Sequence, residues 1–119
     1  MIGKGNVFKA NVEPYHRWVV LNDPAAHGGK VLLISLTSLK SNTRDRSCIL
    51  GPSDYPDLDH ATVVAYAGRK TGSATAFDNA VASGAFRVLP DMPTAALQKI
   101  IAAARISDFL SDSEKRLLE

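Results

Sequence analysis

The chain has a single cysteine, few aromatic residues and no long apolar run. Cys48 cannot form an intramolecular disulfide, which favours a reducing compartment, and its neighbours Ile49 and Leu50 favour a buried structural thiol over a nucleophile. No apolar run reaches the roughly 18 residues that a membrane-spanning helix needs. The N-terminal residues lack the apolar stretch of a signal peptide. We therefore expect a cytoplasmic protein that does not bind a membrane.

The chain also lacks a strong net charge. The formal charge is +2, so the chain is not a bulk polycation. Its length of 119 residues predicts a single domain over residues 1–119. The charge is distributed locally, with a basic segment between Lys40 and Arg46 and an acidic one between Asp54 and Asp59. Adjacent loops of opposite sign would create a local field. Two solvated loops are the alternative.

The chain also lacks the common sequence motifs of phosphate-binding, metal-binding and nucleophilic sites. There is no phosphate-binding glycine loop, and His16, His27 and His60 are too widely spaced for a zinc site with one cysteine. The aspartates after Gly51 do not follow EF-hand spacing, so a solvated acidic loop is favoured over a metal site. A Ser–His–Asp triad stays open, although no nucleophile-elbow motif supports one. We expect no metal and no cofactor.

What the chain does contain is a series of short strand-like segments followed by a helix. Apolar and β-branched residues predict strands within residues 6–12, 18–21, 31–36, 48–50, 61–67 and 85–89. Gly68–Ser73 predicts a turn, and residues 74–83 a loop or short helix. Apolar spacing predicts a helix over Thr94–Arg105 with Pro93 at its first position. Ser111 and Glu114 form a capping box that opens a last short helix. This order predicts an α+β fold, mainly β, with a helix packed on a small curled sheet or barrel.

Two strand ends carry the residues best suited to chemistry. His16 and Arg17 precede one apolar strand, and Thr37 and Ser38 end the next. Arginine presents a fixed fork of donors to phosphate oxygens, hydroxyls can hold a phosphate, and a histidine can act as acid or base. These groups would suffice for attack on a phosphodiester by the 2′-hydroxyl of RNA. The alternative is that Arg17 only lies along a strand, His16 belongs to a turn and Thr37–Ser38 is a strand exit.

The order of these segments resembles the MazF/PemK toxins of bacterial toxin–antitoxin systems, within the CcdB/MazF superfamily. The resemblance rests on Gly5-Asn6-Val7-Phe8, His16–Leu21, Ile34–Ser38, Ala61–Val64 and the Pro93–Ile100 helix start, and it spans nearly the whole chain. Two positions depart from the family pattern, since Trp18 stands where proline usually follows the arginine, and the Val63–Tyr66 segment has no acidic residue. The second departure predicts weak or altered activity.

The resemblance implies a small SH3-like barrel with a C-terminal helix, a homodimer and metal-independent endoribonuclease activity on single-stranded mRNA. It places Arg17 and Thr37 in the active site, with Ser38 beside Thr37. In such a site His16 is the candidate acid or base that the residues themselves suggest. Cationic side chains are expected along the RNA path: Lys40, Arg44, Arg46, Arg69 and Lys70. A cognate antitoxin is the expected protein partner. The alternative is a non-catalytic binding module, or a toxin that inhibits a protein such as gyrase, on the same fold.

Overall fold

The computed structural model describes residues 2–13 and 15–119, and its centre is an antiparallel sheet of six strands. The spatial order of the strands is β4-β5-β3-β2-β1-β6. The strands are β1 (Val7–Ala10), β2 (Arg17–Val20), β3 (Lys30–Ser38), β4 (Ile49–Leu50), β5 (Thr62–Ser73) and β6 (Phe86–Leu89). The predicted α+β, mainly β fold is confirmed.

Both faces of this sheet are covered, which explains why β3 is apolar without alternation. Residues Val31–Leu36 are all buried. The main core lies on one face, between the sheet and helix α2 (Thr94–Arg105). A smaller cluster on the other face joins Phe8, Val20 and Leu33 to helix α1 (Ala74–Ala82). A strand with apolar neighbours on both sides has no solvent face, so it reads as a continuous apolar run.

Helix α2 has the bounds that the sequence predicts. Its apolar stripe, which includes Leu97, Ile100 and Ala104, is buried against the sheet. The Tyr66 hydroxyl donates to the Ile100 carbonyl oxygen at 2.7 Å and fixes the helix to β5. The prediction for Pro93 is wrong by one position, because Pro93 has extended dihedrals and precedes the first helical residue.

The predicted turn at Gly68–Ser73 is also wrong, because β5 runs on to Ser73. Its pairing with β3 is interrupted: Leu33 faces Lys70 whereas Ser35 faces Ala65. The extra residues form a bulge, and a Cβ on Gly68 would lie 2.5 Å from the Ser35 Oγ. The glycines therefore belong to an irregular strand in which backbone and side chain approach closely. The residues that follow, for which the sequence predicts a loop or a short helix, form α1, and the Ser73 side chain caps its first turn.

The last short helix, α3 (Asp112–Arg116), begins as the sequence predicts. The Ser111 hydroxyl accepts from the Glu114 backbone N–H, and the Glu114 carboxylate accepts from the Ser111 N–H. Burial opposes the ionisation of Glu114, but the hydrogen bonds from Ser111 and the charge of Arg69 outweigh it and lower its pKa. Among the described residues no helix has the length and apolar character needed to cross a membrane.

Candidate active site

The predicted site residues meet at the C-terminal end of β3. A cavity of about 180 Å³ opens there. It is lined by Tyr15, His16, Arg17, Leu36, Thr37, Ser38, His60 and Thr62. We call it the strand-end pocket. The strand pairing explains the meeting, because β2 and β3 are neighbours in which Arg17 faces Leu36. His16, Arg17, Thr37 and Ser38 are thus brought together by one hairpin.

Arg17 is the cation of this pocket, and it is held by an aspartate. Its Nε donates to the Asp57 Oδ2 at 3.0 Å, and its Nη2 reaches the Asp57 carbonyl oxygen at 3.4 Å. The Arg17 side chain is 23% exposed and that of Asp57 is 32% exposed. The guanidinium is therefore oriented and reachable, but an anion that enters the pocket must compete with the Asp57 carboxylate.

Ser38 belongs to a second chain of hydrogen bonds in the same pocket. Its Oγ lies 2.8 Å from the His60 Nε2, and the His60 Nδ1 contacts the Asp59 carboxylate. The hydrogen bond from His60 and its charge lower the pKa of Asp59. In the neutral ring, an ionised Asp59 accepts a hydrogen bond from Nδ1–H, which leaves Nε2 as the acceptor for the Ser38 hydroxyl. The backbone of His60 is itself fixed, since its carbonyl oxygen accepts from the Thr62 hydroxyl at 3.2 Å.

A second depression of about 300 Å³ shares Thr37 and Ser38 with the strand-end pocket. Lys40, Asn42 and Thr43 belong to its lining. The exposed Arg44 lies in the same loop. The end of β3 is thus bordered by two openings, one with Arg17 and one with Lys40.

The other basic residues predicted to line an RNA path are engaged elsewhere. Arg46 donates to the carbonyl oxygens of Lys40 and Thr43, which ties its own loop together. Arg69 pairs with Glu114 of α3 at 3.3 Å. The Lys70 Nζ lies 5.0 Å from the Trp18 ring centroid. Trp18 packs with the α1 cluster, on the opposite face from Arg17, so Lys70 is remote from the strand-end pocket.

Two other features compete poorly as sites. A larger cavity of about 530 Å³ between β1, β6 and α1 has one ionisable side chain in its lining, Asp78, which accepts from the Ile2 N–H at 2.7 Å. Cys48 is buried, and burial raises the pKa of its thiol, as expected for an inert structural cysteine. Across residues 2–13 and 15–119, no group of three or more His, Cys, Asp and Glu side chains is placed to hold a metal ion.

Sequence alone does not single out His60 of this pocket, nor Asp57 and Asp59, whose carboxylates contact Arg17 and His60. An Asp-rich loop after two prolines is typical of a solvated surface segment, so the local sequence favours no site there. The adjacent pair Asp59–His60 was the available signal. What places it against Ser38 is the pairing of Thr62 with Ser38 at the start of β5, which is a long-range contact.

Comparisons with known proteins identify the fold. No protein-family model and no curated protein matches the chain in sequence. Solved structures do match it. An endoribonuclease in complex with its cognate antitoxin, from a mycobacterial species, is 17% identical with a TM-score of 0.58, over 88% of this chain and 92% of that one. An endoribonuclease from a mycobacterial species is 19% identical with a TM-score of 0.57, over 87% and 88%. A chain of the MazE–MazF complex from Deinococcus radiodurans is 13% identical with a TM-score of 0.54, over 87% and 92%.

These matches cover most of both chains, so the chain has the fold of the MazF endoribonucleases. The fold expected from the resemblance of the sequence segments is thereby confirmed.

Proposed function

We propose that this protein is the toxin of a toxin–antitoxin system and cleaves single-stranded RNA in the strand-end pocket. The observation that carries the proposal is the convergence of Arg17, Thr37 and Ser38 in one opening. The fold shared with MazF endoribonucleases supports the proposal, because the segments that carry these residues follow one another in the order that the resemblance implies.

The pocket has what the cleavage of RNA by its own 2′-hydroxyl requires. Arg17 faces the place where a phosphodiester would lie, and its guanidinium would stabilise the negative charge that develops on the phosphoryl oxygens. Thr37 and Ser38 would hold the phosphate in position. The nucleophile comes from the substrate, so the reaction is expected to proceed without a metal ion.

Neighbouring groups would hold the strand on either side of the scissile phosphate. Tyr15 is exposed and lines the pocket, so its ring is available for stacking with a base. Lys40 borders the second depression and would pair with the next phosphate along the strand. We therefore place the path of the RNA across the end of β3, from Tyr15 towards Lys40.

The proposal extends to partners and location. One structural match is an endoribonuclease in complex with its cognate antitoxin and another belongs to a MazE–MazF complex, which supports an antitoxin partner for this chain. We also propose a symmetric homodimer, as the resemblance implies, and a cytoplasmic location. Light scattering at high micromolar concentration tests the homodimer, and finding only monomer would contradict it.

The ion pair between Arg17 and Asp57 favours a second candidate, a binding module or a protein-targeting toxin on the same fold. An arginine that is already paired with a carboxylate has a structural role that needs no substrate. In that case Arg17 would shape a surface instead of binding a phosphate.

Growth after induction tests whether toxicity depends on the strand-end pocket, and RNA cleavage in EDTA then separates the two candidates. Wild-type protein should arrest growth, and Arg17→Ala should not, whereas Arg105→Ala removes an exposed arginine from the end of α2 and should still arrest it. Equal arrest by the wild type and Arg17→Ala would show that toxicity does not use this pocket. Immunoblots of the three proteins control for expression.

A further inference from the structure

The structure holds one feature that the proposed function leaves unused: the hydrogen-bonded chain from Asp59 through His60 to Ser38. Its end lies in the strand-end pocket, beside Arg17. The His60 side chain is half exposed, at 50%, so its ring is open to a ligand. The ring is nevertheless oriented, because each nitrogen has a partner and the His60 carbonyl is bound by Thr62.

We propose that His60 is the proton-transfer group of this site, with Ser38 occupying in the free protein the place of the substrate's 2′-hydroxyl. This inference rests on the proposed function. Asp59 holds the proton on Nδ1, so Nε2 presents a lone pair towards the pocket. The Ser38 hydroxyl, 2.8 Å away, donates a hydrogen bond to that lone pair. A ribose hydroxyl in the same position would meet the same lone pair.

The 2′-hydroxyl gives its proton to the His60 Nε2 as its oxygen forms a bond to phosphorus. The bond from phosphorus to O5′ breaks, and O5′ leaves with the electron pair and takes a proton from water. The hydroxide so formed recovers the proton from His60. The products are a 2′,3′-cyclic phosphate and a 5′-hydroxyl, with Arg17 neutralising the charge on the phosphoryl oxygens.

His16 is the other histidine of the pocket, and the structure separates the two. His60 has a carboxylate on Nδ1 and a hydroxyl on Nε2. Its arrangement matches what a general base requires, namely a fixed tautomer and a hydroxyl within hydrogen-bond distance. The described residues include no comparable pair of side-chain partners for His16. His60 therefore replaces His16 as the candidate acid or base.

The test is single-turnover cleavage of a labelled single-stranded RNA of mixed sequence in EDTA. His60→Ala should lower the rate by about 10²–10⁴, the usual contribution of general acid–base catalysis, with RNA affinity unchanged. Added imidazole should restore part of the loss, which a structural role would not allow. His60→Gln keeps a hydrogen-bond partner for Ser38 but cannot accept the proton, so its cleavage rate should fall as far as that of His60→Ala. His27→Ala, at a histidine that contacts the C-terminal carbonyl, is the matched control.

The role of Asp59 in orienting His60 predicts a separate pattern of cleavage rates. Asp59→Asn should lower the rate less than His60→Ala and leave RNA affinity unchanged, and Asp59→Glu should recover most of the rate. An RNA with a 2′-deoxy residue at the cleavage site should resist the wild-type protein, whereas a serine nucleophile at Ser38 would still cleave it.

The outcomes separate the two proposals. Loss of cleavage in Arg17→Ala with wild-type rates in His60→Ala would overturn the role of His60 and leave the ribonuclease standing. A loss in His60→Ala that imidazole does not restore, accompanied by weaker RNA binding, would also overturn it. No cleavage by the wild-type protein would overturn both.

Discussion

At the scale of single residues, RNA binding in the strand-end pocket would depend on whether a phosphate can displace the Asp57 carboxylate from Arg17. The pair is oriented by a 3.0 Å contact but remains open to solvent. Exposed pairs of this kind contribute about 0.2–1 kcal/mol, much less than several charge-assisted bonds to a phosphate. A bound phosphodiester should therefore displace Asp57, at a small cost in affinity.

Asp57→Asn is expected to strengthen the binding of a short single-stranded RNA. The change removes the competing charge, and the magnitude of an exposed pair limits the gain to about fivefold. Fluorescence anisotropy at fixed salt measures it. Asp108→Asn, at an exposed aspartate after α2, makes the same change in net charge and should alter affinity little. Weaker binding in Asp57→Asn would mean that Asp57 positions Arg17 and does not compete for it.

At the scale of secondary-structure elements, a bulge in β5 precedes the regular pairing that ends at the strand-end pocket. The irregular stretch lies between the Ser35–Ala65 and Leu33–Lys70 pairs, and beyond it β5 pairs regularly up to Thr62 opposite Ser38. Gly68 makes this possible, because a Cβ there would lie 2.5 Å from the Ser35 Oγ and 3.3 Å from the Ala65 carbonyl oxygen. Ser35 is buried and has little room to move.

Gly68→Ala is expected to lower the free energy of unfolding by about 1–3 kcal/mol, the usual cost of forcing extra volume into a packed region. Urea unfolding measures the change. Gly51→Ala is the matched control, because a Cβ at Gly51 meets no atom within 4 Å. Equal stability of the two variants would show that the contact at Gly68 relaxes without cost.

The elements also show which parts of the fold the sequence predicts. Helix α2 and the capping box of α3 were predicted because their signals are local, namely apolar spacing and a serine three residues before a glutamate. The end of β5 was missed because Gly68–Ser73 has the composition of a turn, and only its pairing with β3 makes it a strand. The contact between Ser38 and His60 joins residues 22 positions apart, so it depends on the fold and not on any local pattern.

At the scale of the whole molecule, the basic residues divide into those beside the pocket and those remote from it. Lys40 lines the depression next to Ser38, whereas Lys70 lies over Trp18 on the face that carries α1. Sequence alone could not make this distinction, because the side to which a strand residue points depends on register and on the bulge. Net charge alone therefore does not describe the binding surface.

Lys40→Gln is expected to flatten the salt dependence of RNA binding, and Lys70→Gln is the matched control. Each phosphate contact on a single strand contributes about 0.7 to the slope of log K against log salt, so the Lys40 variant should lose about that amount. The Lys70 variant should keep the wild-type slope. Equal slopes in both variants and the wild type would place the RNA path away from Lys40.

The most direct test of the account is the cleavage of single-stranded RNA by purified protein in EDTA. Wild-type protein and Arg105→Ala should produce fragments with 2′,3′-cyclic phosphate and 5′-hydroxyl ends. Arg17→Ala should be slower by about 10²–10³, the typical cost of losing one donor to the developing charge, while its unfolding midpoint stays near that of the wild type. Cleavage by Arg17→Ala at the wild-type rate, or none by the wild type, would contradict the claim that the strand-end pocket is a ribonuclease site.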